Sequence, residues 1–204
     1  MSLDKKFQAI FFDMGGVILR TEDHSPRRLL GQKFGMTYEE IDSFVFNCEA
    51  SKLASIGRIR EDDLWLDVCK RLSIPVTEIP EFRNQFFAGD IIDLKIINFL
   101  RNARNQYRTG LISNAWSGLR AWVEAEKMDD AFDSLIFSAE HGTVKPKPEI
   151  YQIATNELGV LPQSVIFVDD MPDNIDTANR LGMTGILFTD QASLFSKLDE
   201  LLKV

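Results

Sequence analysis

Four polar features stand at or just after strand-like apolar runs of this chain. Asp13 follows Ala9 to Phe12, Ser113-Asn114 follows Gly110-Leu111-Ile112, and Asp169-Asp170 follows Val165-Ile166-Phe167-Val168. Lys145 lies within Gly142-Thr143-Val144-Lys145-Pro146-Lys147-Pro148-Glu149-Ile150-Tyr151. In a parallel sheet the carboxyl ends of the strands open onto one crevice, so three carboxylates, a hydroxyl and an ammonium would meet there. The chemistry such a set supports is phosphoryl transfer. Mg²⁺ takes oxygen ligands, usually a few carboxylates plus substrate phosphate, and Asp13 and Asp170 could supply the carboxylates. Lys145 and the Ser113 hydroxyl could hold a transferring phosphoryl group and neutralise its charge. A free carboxylate on Asp13 could attack phosphorus and form an aspartyl-phosphate. Two adjacent acids at Asp169-Asp170 would repel each other without a cation, which sets them apart from an ordinary turn.

These side chains need strands to carry them. Phe7 to Phe12, Arg108 to Ile112, Phe132 to Phe137 and Ser164 to Val168 are short, nearly continuous apolar runs, and Thr184 to Phe188 is a weaker fifth. Such runs suit a parallel sheet covered on both faces. Helix-period segments alternate with the later runs at Ile91 to Asn105, Leu119 to Lys127, Pro148 to Leu158 and Ile175 to Leu181, and Ser193 to Leu202 closes the chain as a further helix. The alternation predicts an α/β fold with a doubly wound, mostly parallel, Rossmann-like sheet. Residues 20–88 break it. No convincing strand falls there, and amphipathic helical patterns occupy Pro26 to Phe34, Tyr38 to Ser55, Asp62 to Leu72 and Glu81 to Phe87. Thr37 with Glu40, and Arg60 before Glu61-Asp62-Asp63, mark helix starts, while Gly35 and Gly57 mark stops. The expected organisation is a core of residues 1–19 and 89–204 with a helical cap, residues 20–88, inserted above the strand ends.

Taken in order, the four features resemble the motifs of the haloacid dehalogenase-like (HAD) hydrolase superfamily, mostly phosphatases, and the similarity spans nearly the whole chain. Ser138 through Gly142, Lys145-Pro146 and Tyr151 are similar to that family's lysine motif. Phe167-Val168-Asp169-Asp170-Met171-Pro172-Asp173-Asn174 resembles its acidic motif in the branch whose helical cap follows the first motif. The resemblance implies Asp13 as nucleophile and metal ligand, the backbone carbonyl of Gly15 as a second ligand and Asp170 as the third. Asp169 would support the Mg²⁺ site through water or Lys145. Ser113 would contact phosphoryl oxygens, and Asn114 and Gly16 are the substrate-binding candidates.

One position departs from the family. Most of its phosphatases carry Asp where this chain has Gly15, and that Asp protonates the leaving oxygen and later activates water. General acid–base help is worth about 10²–10⁴-fold, most with a poor leaving group such as a sugar alkoxide. Two other readings stay open. One is a phosphate-binding protein with weak or no turnover. The other is a hydrolase of carbon–halogen or carbon–phosphorus bonds, since such relatives also lack this Asp. The halide cleavers dispense with metal, which the Asp169-Asp170 pair argues against. The phosphonate cleavers need a cap lysine, for which Lys52 is the formal candidate and a solvated side chain the plainer reading. His24 and His141 are formal replacements for the acid, though a lone histidine is usually structural or solvated. Trp116 could line the pocket mouth, whereas Trp65 and Trp122 read as core. Arg27-Arg28 and Arg58 to Arg60 read as exposed helix-end charge before they read as an anion site, and Asp173-Asn174 as a helix start before ligands.

The chain of 204 residues has a formal net charge of -8, with 45% hydrophobic and 26% charged residues. That is a globular composition, and its negative balance argues against nucleic acid or acidic membrane as partners but not against a small anion; the partner that the motifs and the resemblance imply is a small phosphorylated metabolite. The 2 cysteines, Cys48 and Cys69, suggest a reducing cytoplasm rather than a disulfide framework. Asp4, Lys5 and Lys6 precede only a short apolar run, so no signal peptide is expected, and no run approaches the roughly 20 residues that span a bilayer.

Overall fold

A strand covered on both faces must be apolar at every position, and Ala9–Phe12 meets that demand: all four residues are buried. In the computed structural model, which describes residues 6–202, this strand is β1. It is followed by β2 (Leu19–Thr21), α1 (Ser25–Gln32), α2 (Tyr38–Phe46), α3 (Glu49–Ser55), α4 (Glu61–Arg71), α5 (Ile79–Phe87) and β3 (Asp90–Ile92). Then come α6 (Leu94–Ala103), β4 (Arg108–Ser113), α7 (Leu119–Ala125), β5 (Ser134–Phe137), α8 (Ser138–His141) and α9 (Pro148–Leu158). The chain continues through β6 (Val165–Asp169), α10 (Pro172–Arg180), β7 (Thr184–Leu187) and α11 (Gln191–Leu202).

Five strands form one parallel sheet in the order β5-β4-β1-β6-β7, with β1 between β4 and β6. The pleat sorts β1 by alternation. Ile10 and Phe12 face a core built with Ile96, Ile97 and Leu100 of α6 and Leu194 and Leu198 of α11. Ala9 and Phe11 face the other side, against Ile150, Tyr151 and Ala154 of α9 and Ala178 of α10. Each fully buried phenyl contributes about 1.5–3 kcal/mol. This is the doubly wound sheet expected from the sequence.

Strand and helix limits move where tertiary contacts decide them. The expectation of no strand in residues 20–88 and of an unbroken helix from Ile91 is corrected by a small antiparallel ribbon. In it Leu19 pairs with Ile92, Arg20 with Ile91 and Thr21 with Asp90. Three-residue strands are too short to show a period, and only their pairing makes them strands. The helix expected over Tyr38 to Ser55 breaks at Cys48, which is extended (φ -73, ψ 163) and accepts the amide of Ser51 on its thiol. The strand expected from Phe132 starts at Ser134, because a tight helical turn holds Asp129–Ala131. The helix expected from Ile175 starts earlier, at Pro172. The Thr37–Glu40 capping box forms, and Gly35 and Gly57 have the left-handed φ of helix stops, at 69° and 67°.

Between Ser25 and Phe87 the helices bury their own apolar cluster, with Leu30, Ile41, Leu64, Trp65, Val68 and Phe86 among its members. Arg27 ties it together. Far from being exposed helix-end charge, it is 3% exposed. It donates to the Phe86 carbonyl at 3.0 Å, pairs with Asp42 at 2.5 Å and with Asp90 at 3.2 Å, and lies 4.2 Å from the Phe86 ring centre. Arg28, Arg58 and Arg60 are exposed. No helix of the described residues is long and apolar enough to cross a membrane.

Asp93 fixes the junction where the ribbon meets the sheet. Its carboxylate accepts the amides of Lys95 and Ile96 at the start of α6 and the amide side chain of Gln191 at the start of α11, and pairs with Arg20 at 2.9 Å. Burial alone would raise its pKa, but the hydrogen bonds from Arg20, Ile96 and Gln191 outweigh it and hold the carboxyl below its ordinary value. A carboxylate with a depressed folded pKa stabilises above the unfolded pKa of about 3.9 and loses that contribution as pH falls through the folded value. Asp93→Asn keeps a good helix cap and removes the charge. It should cost about 1–2 kcal/mol at neutral pH, the partly exposed Arg20 screening the pair. In urea titrations the gap between the two proteins should close as pH drops below about 4, and a gap independent of pH would contradict this account.

Candidate active site

The sheet delivers its polar residues to one edge. β1 ends at Phe12, and the next amide, that of Asp13, still bonds the Val168 carbonyl of β6 at 2.8 Å. Asp169 is the last residue of β6 and Asp170 follows it. Asp13, Asp169 and Asp170 each present a carboxylate oxygen within 4.8 Å of the others. The segment between α8 and α9 brings in Lys145, 4% exposed. Its ammonium lies 2.7 Å from Asp13 Oδ1 and 2.7 Å from Asp169 Oδ2.

The carboxylates are not equivalent. Asp169 is saturated: Oδ2 takes Lys145, and Oδ1 takes the amide of Met171 at 2.8 Å and the side chain of Asn174 at 2.9 Å. Asp13 uses Oδ1 for Lys145 and for the Met14 amide, which leaves Oδ2 without a partner among the described residues. Asn114 spends its amide on the backbone of Lys145, donating to the carbonyl at 3.0 Å and accepting the amide at 2.7 Å. Ser113 is 3% exposed, and its hydroxyl has no hydrogen bond among the described residues.

The turn after β1 explains its glycines. The Met14 carbonyl accepts the amides of Ile18 and Leu19, so the chain curls back at once. Gly16 has φ +76°, and a Cβ there would lie 2.1 Å from Asp170 Oδ2. Its amide is given to the Leu19 carbonyl at 2.9 Å. Its contribution is therefore room for Asp170. Gly15 differs: it is exposed, and a Cβ there would meet nothing within 4 Å. Its carbonyl accepts no hydrogen bond among the described residues.

Burial is the main force on the charges. It pushes Asp13 up to about 7; Lys145 opposes that shift and Asp169 adds to it. Burial also raises Asp170, again with help from Asp169. Three carboxylates share one ammonium, so the site carries an excess of negative charge that a cation would relieve. The free donors are Asp13 Oδ2, the Asp170 carboxylate and the Gly15 carbonyl. All are oxygens, the ligand type of hard divalent cations such as Mg²⁺.

Gly15, Gly16, Ser113 and Asn114 form part of the wall of a cleft of about 1590 Å³ between the strand ends and the helices of residues 25–87. Trp116 also lines it. Trp65 is buried in the helical cluster, and Trp122 packs partly buried against the sheet core. His24 is exposed and stacks on Tyr38 at 4.4 Å, its Nε2 3.1 Å from the Thr21 carbonyl. His141 borders a separate pocket of about 290 Å³ beside Arg120 and Glu140. Neither histidine lines the large cleft, and Lys52 is exposed on α3.

Three positioning groups escaped the sequence reading. Asn174, read as part of a helix start, sits in the first turn of α10 but turns its side chain to Asp169, and Tyr151 donates to its carbonyl at 3.1 Å. Ser138 accepts the Ala115 amide and donates to the Ser55 carbonyl at 2.6 Å. Glu61, 7% exposed, accepts from the Gly118 amide and the Trp65 indole and pairs with Arg83 at 2.7 Å. Asn174 and Ser138 each had a signal, their places in the acidic and lysine motifs, without these roles being assigned; Glu61 acts across contacts that no local pattern encodes.

A model of the haloacid dehalogenase-like hydrolase family matches residues 7–182. A sesquiterpene phosphatase of Aspergillus oryzae is 25% identical over 201 residues, 96% of this chain and 97% of that protein. A D-ribitol-5-phosphate phosphatase of Bacteroides thetaiotaomicron is 26% identical over 184 residues, 85% and 87% of the two chains. Among solved structures, a HAD family enzyme of Bacteroides thetaiotaomicron in complex with magnesium and inorganic phosphate superposes with a TM-score of 0.76 at 22% identity, covering 93% of this chain and 99% of that one. A HAD-like family hydrolase of Porphyromonas gingivalis gives a TM-score of 0.79 at 20% identity, covering 98% and 99%. With its sheet order, its strand-end acids and a family match over most of its length, the chain belongs to the haloacid dehalogenase-like hydrolases.

Proposed function

We propose that this hydrolase is a Mg²⁺-dependent phosphatase of small phosphate monoesters that works through Asp13 and lacks the usual general acid at position 15. The observation that carries the reading is the Asp13–Lys145–Asp169 array with a partner-free Asp13 Oδ2. The two relatives described as phosphatases, and the neighbour solved with magnesium and phosphate, support it. Asp13, Asp170 and the Gly15 carbonyl would hold the ion, with Asp169 behind them holding Lys145. When bound, Mg²⁺ supplies positive charge that offsets the phosphoryl oxygens.

The chain's own residues do the rest. Lys145 holds Oδ1 of Asp13 and so aims Oδ2 at phosphorus. Oδ2 attacks, the P–O bond to the organic group breaks, and an aspartyl-phosphate forms. Ser113 donates to a phosphoryl oxygen, and Lys145 neutralises another in the transition state. A water then attacks the same phosphorus, the acyl-phosphate P–O bond breaks, and Asp13 regains its carboxylate. With no carboxyl at position 15, the leaving oxygen takes its proton from solvent, which favours esters whose leaving group is stable as an anion. Residues 20–88 would act as a cap over the core of residues 1–19 and 89–204, joined to it by the β2–β3 ribbon. The ends 1–5 and 203–204 lie outside the described residues.

The absent acid favours a second reading, a phosphate-binding protein without turnover. The phosphonate reading loses support because Lys52 is exposed, and the excess of buried carboxylate weighs against a metal-free halide reaction.

A phosphate-ester panel with Mg²⁺ separates the two main readings. Asp13→Asn should lower turnover by about a thousandfold or more while circular dichroism stays unchanged. No turnover by the natural sequence, with retained beryllofluoride binding, would favour the binding protein. Removing Mg²⁺ with EDTA should abolish hydrolysis, and readdition should restore it.

Gly15→Asp tests the leaving-group argument, since the site has open space for the new side chain. It should raise kcat on alkyl phosphates by about tenfold or more and change aryl phosphates much less. An equal effect on both classes would sink the argument.

A further inference from the structure

The cleft beside the strand ends is far larger than a phosphate group. Its volume of about 1590 Å³ exceeds the roughly 300–1,000 Å³ of ordinary small-ligand sites. Its charged lining is already spent. Arg20 pairs with Glu22 and Asp93, Arg27 with Asp42 and Asp90, and Arg83 with Glu61. No other Arg or Lys lines it, whereas Asp62 and Glu126 do, both exposed. A second anionic group on a substrate would find no uncommitted cation there.

The wall offers aromatic surface instead. Trp116 stands three residues after Ser113, and its indole N–H is fixed on Ser51 Oγ at 3.3 Å. Its ring stacks on Phe46 at 5.5 Å and 23°, and Trp65 meets it edge-on at 5.7 Å. Phe46 is 39% exposed, Leu66 42% and Ile91 54%, and all three line the same cleft. Large apolar side chains left open to water along the wall of a cleft mark a surface that gains free energy when a ligand covers it.

We infer that the cleft selects phosphate monoesters whose organic half is bulky, uncharged and aromatic, seated against Trp116 and Phe46, and discriminates against substrates with a second anionic group. The inference rests on the phosphate reading of the Asp13 site. It agrees with Gly15, because aryl leaving groups depart without a general acid.

Binding of phosphonates that cannot be hydrolysed tests it without requiring turnover. With Mg²⁺ present, calorimetry would compare methylphosphonate, 1-naphthylmethylphosphonate and 3-phosphonopropionate. The naphthyl compound should bind about tenfold or more tighter than methylphosphonate, the scale of one stacked ring with its buried area. The carboxylated compound should bind no tighter than methylphosphonate. Trp116→Ala should reduce the naphthyl advantage to about threefold or less. Phe46→Ala, at a half-exposed position that folding tolerates, should reduce it in the same direction. Equal affinities for the naphthyl and methyl compounds, tighter binding of 3-phosphonopropionate, or an undiminished advantage in Phe46→Ala would overturn the preference while leaving phosphate binding intact. Failure of methylphosphonate itself to bind would instead remove the phosphate reading, and the preference with it.

Discussion

The ammonium of Lys145, buried between Asp13 and Asp169 at 2.7 Å from each, is the contact on which the rest of the site depends. A buried ammonium persists only when paired, and removing one partner of such a pair typically costs about 3–5 kcal/mol. Here the pairing also has a direction. It occupies one oxygen of Asp13 and leaves the other without a partner, and Asp170 has no salt bridge of its own among the described residues. Burial then makes full ionisation of the carboxylates unfavourable until further positive charge arrives. A site balanced in this way is made ready for a cation by the protein's own excess of charge.

The loop that follows Ser113 at the end of β4 is held just as firmly. Asn114 grips the backbone of Lys145, the Ala115 amide binds Ser138, and the Gly118 amide binds Glu61 of α4. The last two contacts run to groups that also touch the helical layer, through the Ser55 carbonyl and the Trp65 indole. The loop after β4 and the helices of residues 25–87 are therefore one hydrogen-bonded unit. Fixed donors of this kind need little reorganisation when charge develops at the site.

Much of this was legible in the sequence because buried parallel strands leave a strong trace. Asp13, Ser113 and the Asp169-Asp170 pair each stood at the end of a continuous apolar run, which is what the middle of a doubly wound sheet requires, while Lys145 had only its place between a glycine turn and two prolines to mark it. Where the trace was faint, the structure corrected it. The β2–β3 ribbon is three residues wide and exists through pairing alone. Arg27 reads locally as helix-end charge, yet Asp42, Asp90 and the Phe86 carbonyl, distant in sequence, draw it inside. Asn174 occupies the helix start the sequence suggested, but the nearest unsatisfied acceptor, Asp169, takes its side chain. For the ribbon and for Arg27, partners distant in sequence decided what local pattern could not.

The two adjacent glycines show how differently the same residue can be constrained. Gly16 is held by geometry: its backbone is left-handed, and any side chain would collide with Asp170, so it belongs to the charge array as surely as the acids do. Gly15 is under no such constraint, since open space surrounds it and its backbone would accept an L side chain. The absence of a carboxylate there is therefore not imposed by the fold. If the site works as the proposed phosphatase, what it lacks at position 15 is a carboxyl to protonate the leaving oxygen, and what the neighbouring cleft provides is aromatic surface without an uncommitted cation. On that reading both features would favour the same kind of ester, one whose organic half is apolar and leaves readily as an anion. On the proposed reading, the missing carboxylate at the strand ends and the aromatic wall of the space above them would act together on one substrate class.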